Sequence, residues 1–278
     1  MIITPEEIIR KAQKCLKEGK NAKSALTALG MAFFEKGLLD KAIFYYSKAL
    51  ENDPRFAPAY AGLGIVYGKK GLVTESIFNL KEAISLAPNC ALLYNWLGDA
   101  LFDQGKIEEA IKEYSRSTEL DSLDSNAHND LADAYRIKGD FQSAYNYYKK
   151  TLEIDPADTN AQIEMAQVLI QMGRFDEAEN IFENLIKNYP ESDDAKTSKI
   201  MLSSMAVRSG DFSQARQCLF EAGEHFPFNP TIQFHLALCN IILGEPQKAL
   251  ENLNKTIDLD PNNARARKLI QQLTKKRK

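Results

Sequence analysis

The sequence predicts an all-α fold, arranged as a tandem array of about seven helix-turn-helix units of about 34 residues each. One set of glycines recurs at spacings of 34, 34, 34, 34, 37 and 34 residues, at Gly37, Gly71, Gly105, Gly139, Gly173, Gly210 and Gly244. A parallel set of prolines, in which Ser122 replaces one member, comprises Pro54, Pro88, Pro156, Pro190, Pro227 and Pro261. Two sets of helix-ending residues that recur with the same spacing along the chain indicate repeated helix pairs.

Each unit has the same internal order. An apolar helical stretch such as residues 25–37, ALTALGMAFFEKG, ends at a glycine, which can adopt the left-handed conformation that closes a helix. A second stretch, residues 38–54, ends before a proline, whose ring disfavours helical geometry in the preceding residue. Neither helix can bury its apolar face alone, so successive pairs are expected to stack.

The pattern of side-chain sizes predicts how the paired helices pack. Small residues are expected where helices cross, at Gly30, Gly64, Gly98, Ala132, Ala166 and Ala237 in first helices and Ala42, Ala110, Ala144, Ala178, Ala215 and Ala249 in second helices. Large residues are expected to fill the remaining space, including Leu29, Phe33, Tyr46, Leu63, Tyr67, Leu80, Leu97, Leu101, Tyr114, Leu131, Tyr135 and Tyr148. Glycine inside a helix costs up to about 1 kcal/mol relative to alanine, so its recurrence indicates close backbone approach.

Over residues 23–261 the chain resembles the tetratricopeptide repeat (TPR) family. In the third unit the family pattern falls on Tyr94, Leu97, Gly98, Leu101, Ala110 and Tyr114, and in the fourth on Leu131, Ala132, Tyr135, Ala144, Tyr148 and Pro156. The resemblance implies a right-handed α-solenoid superhelix that binds other proteins and is not an enzyme. It also implies that ligands bind in a concave groove lined by the first helices.

The repeat register divides the chain into capping helices and units. The expected divisions are an N-terminal capping helix at 1–22, units at 23–56, 57–90, 91–124, 125–158, 159–195, 196–229 and 230–261, and a C-terminal capping helix with a basic tail at 262–278. The sequence Thr4-Pro5-Glu6-Glu7 has the form of a capping box at the start of the first helix. After Pro190 the linker ESDDAK is expected to be three residues longer than the others.

Composition limits the classes of function. The chain has 278 residues with 35 Lys and Arg against 38 Asp and Glu, so its net charge of −3 argues against nucleic-acid binding. Four cysteines stand far apart, at Cys15, Cys90, Cys218 and Cys239, so reduced and mostly buried thiols are expected rather than disulfides or a zinc site. We find no signal peptide, membrane span, metal-ligand set or catalytic motif, and the interpretation is a cytoplasmic protein without cofactors.

The middle of the chain is the predicted binding region. Residues 91–158 contain 7 Lys or Arg and 14 Asp or Glu, a balance of −7. Helical spacing places polar residues of the first helices on one face, and the candidate peptide-binding set is Asn95, Asp99, Phe102, Asp103, Asn126, Asn129, Asp130, Asp133, Arg136, Glu164, Gln167 and Gln171. The carboxylates favour an extended partner segment that carries Lys or Arg. The alternative is an ordinary solvated surface.

Two asparagines in this set occupy the same repeat position, Asn95 and Asn129. An asparagine amide has both donor and acceptor groups, so a row of them can pair with an extended peptide backbone. This arrangement is similar to the asparagine ladders of peptide-binding family members. The family's carboxylate clamp, which grips chaperone C-termini, is excluded because its positions hold Thr27, Met31, Gly62, Leu92 and Trp96.

The end units are more apolar than the middle. Met31 and Phe34 in the first unit, Ile65 in the second, and Phe234, Leu238, Ile241 and Ile242 in the seventh are expected to pack against capping helices. The alternative function is a self-assembling platform or coat formed through these apolar end repeats, in which case the protein would be a homo-oligomer.

Overall fold

The computed structural model describes residues 4–275, except for the side chains of His225 and Lys275, and within that range it contains helices and no strand. The first compact unit, Met1–Pro156, contains α1 (Pro5–Lys17), α2 (Ala22–Glu35), α3 (Leu39–Asn52), α4 (Ala57–Lys69), α5 (Val73–Leu86), α6 (Ala91–Asp103), α7 (Ile107–Leu120), α8 (Ser125–Lys138) and α9 (Phe141–Ile154). The second, Ala157–Lys278, contains α10 (Thr159–Gln171), α11 (Phe175–Asn188), α12 (Asp193–Ser209), α13 (Phe212–His225), α14 (Pro230–Ile242), α15 (Pro246–Leu259) and α16 (Ala264–Lys275). The all-α prediction is confirmed.

Helices pack in sequence within each compact unit. In the first, α2 packs with α3, α4 with α5, α6 with α7 and α8 with α9, and each pair contacts the next. In the second, α10 packs with α11, α12 with α13 and α14 with α15. The count of seven repeat units and their boundaries remain predictions, and the expected boundary after residue 195 falls inside α12, which begins at Asp193.

The recurrent glycines end the first helix of each pair as predicted. All seven have a positive φ, for example 72° at Gly37 and 87° at Gly210, a region in which glycine lacks the steric penalty of other residues. The α7 helix ends at Leu120 although Ser122 replaces the proline there. The carboxylate of Asp121 accepts a hydrogen bond from the Leu123 N–H at 3.1 Å, a turn that ends the helix without proline.

Close contacts are present at the predicted glycines, but the group that approaches Gly30 and Gly98 is a tyrosine ring and not the backbone of the neighbouring helix. A methyl group added at Gly98 would lie 2.5 Å from the ring of Tyr114, and one at Gly30 would lie 2.7 Å from the ring of Tyr46. Leu97, Leu101, Tyr114 and Leu131 are buried in one core cluster of the first compact unit, as the size pattern predicts. Phe33, Tyr67 and Tyr135 are only half-buried and lie at the margin of their clusters.

Each end of the chain carries a helix that packs on its neighbour. Ile9, Ala12 and Leu16 of α1 pack against Ala25 and Leu29 of α2, and Thr4 caps α1 by accepting a hydrogen bond from the Glu7 N–H at 3.3 Å. At the other end, Ala266, Leu269 and Ile270 of α16 form a cluster with Phe234, Ala237 and Leu253. Of the predicted basic tail, Lys276, Arg277 and Lys278 lie outside the described residues.

Two expectations are wrong. The linker after Pro190 is not lengthened: four residues separate α11 from α12, as four separate α9 from α10, and the three extra residues lengthen α12 to 17 residues. Ser192 caps this earlier start by accepting a hydrogen bond from the Ala195 N–H at 3.0 Å. The thiols are also not mostly buried, because only Cys239 is buried and Cys90, the residue before α6, is exposed.

Replacement of Gly62 by alanine tests the tightest of these contacts. An added methyl group would lie 2.3 Å from the ring of Tyr46, so one helix must shift, and we expect Gly62→Ala to destabilise the chain by about 1–3 kcal/mol. Gly68→Ala is the matched control in the same helix, because its nearest neighbour would be 3.4 Å away. It should be neutral or stabilising by up to about 1 kcal/mol. Equal urea denaturation midpoints for the two variants would contradict the close crossing.

Candidate peptide-binding surface

The first helices of the first compact unit form one continuous surface. Helix α2 contacts α4, α4 contacts α6, and α6 contacts α8. We call the face that these four helices share the first-helix surface. The candidate residues from Asn95 to Arg136 lie on α6 and α8, and the others lie on α10 in the second compact unit.

Asn95 connects α6 with α8. Its Nδ2 donates a hydrogen bond to the carboxylate of Asp130 at 2.9 Å, and the side chain is buried, with 9% relative exposure. Its Oδ1 is buried and has no hydrogen-bond partner within the described residues. Asn129 likewise donates to Asp133 at 3.4 Å and has a buried, unpaired Oδ1 in the described part of the chain. Each amide therefore makes one hydrogen bond within the protein, and the role of the two asparagines in binding a peptide backbone stays a prediction.

Tyrosines of the second helices bind the acids of the first. The hydroxyl of Tyr114 donates to Asp99 at 2.8 Å, and the hydroxyl of Tyr148 donates to Asp133 at 2.7 Å, over the same separation of 15 residues. Asp133 also forms an ion pair with Arg136, whose Nη2 lies 2.8 Å from the carboxylate. The charge of Asp133 is therefore compensated inside the site, whereas among the described residues no cation forms an ion pair with Asp99.

The local electrostatics are unfavourable for the carboxylates. Removal of water by the surrounding protein raises the pKa of Asp130 to about 6, and the negative charges of Asp99, Asp133 and Asp124 add to the rise, which the hydrogen bond from Asn95 opposes. Desolvation also raises the pKa of Asp99, and the nearby charge of Asp103 acts in the same direction. An incoming cation would relieve this repulsion.

The remaining candidates on α6 and α8 differ in accessibility. Asp103 and Asn126 are exposed and can be reached by a ligand. Phe102 is half-buried because part of its ring packs against the core cluster beneath α6, so it presents less apolar surface than predicted.

Three candidates lie on α10 of the second compact unit. Gln167 donates a hydrogen bond to the carboxylate of Glu164 at 3.4 Å, and both side chains are half-buried. Gln171 is exposed at the last residue of the helix. Their role in binding stays a prediction.

The structure adds an apolar cavity that the sequence interpretation missed. It has a volume of about 570 Å³ and lies on the first-helix surface, where Met31, Phe34, Ile65, Leu93 and Trp96 contribute apolar walls. Met31 is 50% exposed, so the expectation that Met31, Phe34 and Ile65 pack against the capping helix is wrong. The reason is helical geometry, because α1 covers the face of α2 that carries Ala25 and Leu29, and Met31 points elsewhere.

One signal in the sequence could have revealed this cavity. The repeat position that holds Trp96 and Asp130 in the third and fourth units holds Gly62 in the second. The absence of a side chain at Gly62 lets the ring of Tyr46 form the floor of the cavity, with Met31 and Trp96 on either side.

Family models for tetratricopeptide repeats match residues 30–71, 57–90, 98–136, 135–199 and 200–264. The chain belongs to the tetratricopeptide repeat family. Members of this family are protein-interaction scaffolds, and none of the matching models describes a catalytic family. No curated protein matches the chain.

Several solved TPR structures are similar to the chain. MamA is 29% identical, with 57% of this chain and 93% of that chain covered and a TM-score of 0.54. PilF of Pseudomonas aeruginosa is 21% identical, with 76% and 95% covered and a TM-score of 0.64. YrrB, described as a TPR protein with an unusual peptide-binding site, is 18% identical, with 70% and 97% covered and a TM-score of 0.55. At these last two identities the likeness concerns the fold.

Neither a membrane-spanning helix nor a group of metal ligands is found within the residues that the structure describes. Across residues 4–275 no helix is both long and apolar enough to cross a membrane. In the same range no three His, Cys, Asp or Glu side chains are grouped as ligands for a metal ion.

Replacement of Asp130 by asparagine tests the repulsion at the site. The pKa of Asp130 is higher in the folded chain than in the unfolded chain, so its ionisation costs stability that grows as pH rises from about 4 to about 6. Asp130→Asn keeps an oxygen for the Asn95 amide and cannot ionise. We expect it to be more stable than the parent by about 1–2 kcal/mol near pH 7.5, with the difference shrinking towards pH 4.

The exposed residue Asp258 supplies the control for this measurement. Asp258→Asn should change the free energy of unfolding by a similar small amount at every pH. A stability difference for Asp130→Asn that does not vary with pH would argue against repulsion at Asp130.

Proposed function

We propose that this TPR protein is a non-enzymatic scaffold that binds an extended, Lys- or Arg-bearing segment of a partner protein on the first-helix surface at α6 and α8. The observation that carries the proposal is a group of carboxylates without a cation. Asp99, Asp103 and Asp130 have no ion-pair partner within the described residues, whereas Asp133 is paired with Arg136.

A basic ligand fits this charge distribution for an energetic reason. Asp130 loses hydration to the surrounding protein and repels its acidic neighbours, so its ionised form is held at a cost. Asp99 is exposed and adds a negative charge close to Asp130. A Lys or Arg side chain placed between them relieves that cost, and the relief appears as binding free energy. The exposed Asp103 extends the negative field to the edge of the site and favours encounter with a cation.

The similar proteins support a protein or peptide as the ligand, but they do not identify it. TPR proteins bind other proteins or peptides, and YrrB is described as having a peptide-binding site. The asparagines keep a supporting role in the proposal. Asn95 and Asn129 donate hydrogen bonds to Asp130 and Asp133 and so fix the orientation of these carboxylates. To donate the same N–H groups to a ligand, the asparagines would first have to break these bonds.

The binding of a synthetic basic peptide tests the proposal. The probe is an N-acetylated, C-amidated peptide in which Lys and Arg alternate with Ser, labelled for fluorescence anisotropy, so that no terminal carboxylate takes part. We expect the double variant Asp99→Asn with Asp103→Asn to bind it about threefold to tenfold more weakly than the parent, since each removed pair is partly exposed. Affinity should also fall below pH 6, where Asp130 is protonated.

The matched control removes two charges from exposed positions on second helices, Glu75→Gln with Glu108→Gln. This variant should retain most of the affinity. Equal weakening by both double variants would show that only overall charge matters and would remove the site from the proposal. A light-scattering series over protein concentration addresses the self-assembly alternative, which a strictly monomeric particle excludes.

A further inference from the structure

The apolar cavity on the first-helix surface is open and large enough for a side chain of a ligand. Its volume of about 570 Å³ falls within the range of small-ligand pockets, and its walls come from α2, α3, α4 and α6. Met31 stands half-exposed in one wall, and Trp96 forms the opposite side on α6. Apolar side chains kept in contact with water in this way favour an apolar occupant.

The depth of the cavity follows from the packing beneath it. The ring of Tyr46 fills the place where a side chain of Gly62 would start, with 2.3 Å between the ring and an added methyl group. The floor of the cavity at this point of α4 is therefore the ring of Tyr46, between Met31 on one side and Trp96 on the other. Burial raises the pKa of Tyr46 to about 12, so its ring presents a neutral floor at physiological pH.

This cavity continues into the acidic part of the surface. A second cavity of about 290 Å³ shares Phe34, Ile65 and Trp96 with the first and is lined further along by Asp99 and Asp103. Lys69 also lines it, and within the described residues no ion pair joins that lysine to either aspartate. Trp96 therefore stands between an apolar recess and a pair of carboxylates.

We infer that the ligand is a bipartite segment, in which one large apolar side chain such as Leu, Met or Phe enters the cavity and a nearby Lys or Arg reaches Asp99 and Asp103. The inference rests on the proposed function, since it extends the same basic ligand by an apolar anchor. Trp96 contacts both parts, because its indole borders the apolar recess and its ring face attracts a cation.

A separate partner fits this surface better than a segment of the chain itself. Helix α1 already packs on the other face of α2 through Ile9, Ala12 and Leu16. The pairing of an apolar recess with Asp99 and Asp103 matches a ligand that is apolar at one point and basic at the next. An extended segment can present both features a few residues apart, because successive side chains advance by about 3.3 Å.

Trp96 is the only tryptophan, so its fluorescence reports binding at the junction directly. Three series of amidated peptides are compared, each with spacers of zero to four Ser. The first carries Phe and two Lys, the second has Ala in place of Phe, and the third has Phe but Ser in place of Lys. We expect the best Phe–Lys peptide to bind at least about tenfold more tightly than its Ala counterpart and to shift the Trp96 emission. Equal affinities for these two overturn the apolar anchor and leave the basic site intact.

Cys90 offers a way to obstruct the cavity without substituting its apolar residues. This exposed thiol lines the cavity, whereas Cys15 and Cys218 are half-buried and are removed in the test protein as Cys15→Ala and Cys218→Ala. N-ethylmaleimide on Cys90, verified as a single adduct by mass, should lower the affinity for the Phe–Lys peptide to that of the Ala–Lys peptide. The control Cys90→Ser, treated with the same reagent, should keep the full difference.

The remaining outcomes separate the two proposals. If the Phe–Ser peptide binds and the Ala–Lys peptide does not, the basic preference of the proposed function fails and the cavity remains as an apolar site. If no peptide binds, both proposals are overturned. A Trp96 emission that changes with protein concentration alone, together with a dimer in light scattering, overturns the partner segment in favour of a second copy of this chain.

Discussion

The packing of a second-helix tyrosine against small residues of a first helix determines both the fold and the site. The ring of Tyr114 lies where a side chain of Gly98 would be, and its hydroxyl crosses α6 to reach Asp99 on the first-helix surface. Burial raises the pKa of Tyr114 above its usual value, so its hydroxyl keeps its proton and stays a donor at neutral pH. One side chain thus closes the helix pair and fixes a carboxylate of the candidate site. The hydroxyl of Tyr148 likewise donates to Asp133, and the residue that corresponds to Gly98 in that unit is Ala132.

Carboxylates held in this way divide into two kinds, and the difference bears on function. Asp133 has Arg136 and Tyr148 as partners and belongs to a closed network. Asp130 has only the amide of Asn95, and its raised pKa means that its ionised form lowers the stability of the chain at neutral pH. This loss of stability is tolerated in a protein when the same group contributes to function. Attraction of a cationic ligand is a function that fits the position of Asp130.

The sequence predicts the fold well because the fold depends on periodic, local features. A glycine that needs a positive φ, as at Gly37, and a gap for a ring, as at Gly98, leave a mark at the same place in each unit. The site is less predictable because it depends on which side chains meet across helices. The face of Asn95 follows from helical spacing, but its bond to Asp130 and its burial depend on the distance between α6 and α8, which spacing does not supply. The position of the three extra residues, in α12 rather than in the linker, was likewise decided by a cap at Ser192.

A single repeat position shows how such an array changes its chemistry without changing its fold. At this position the second, third and fourth units carry Gly62, Trp96 and Asp130, one on each of α4, α6 and α8. The first leaves a recess over Tyr46, the second borders that recess and the acidic cavity, and the third adds a desolvated carboxylate. The backbone repeats because the core positions carry the same kinds of residue, whereas this position on the first-helix surface differs from unit to unit. A ligand lying across these helices would therefore meet an apolar, an aromatic and an anionic contact in that order. Such an order of contacts selects among ligand sequences, whereas a uniform row of asparagines would bind peptide backbones of any sequence.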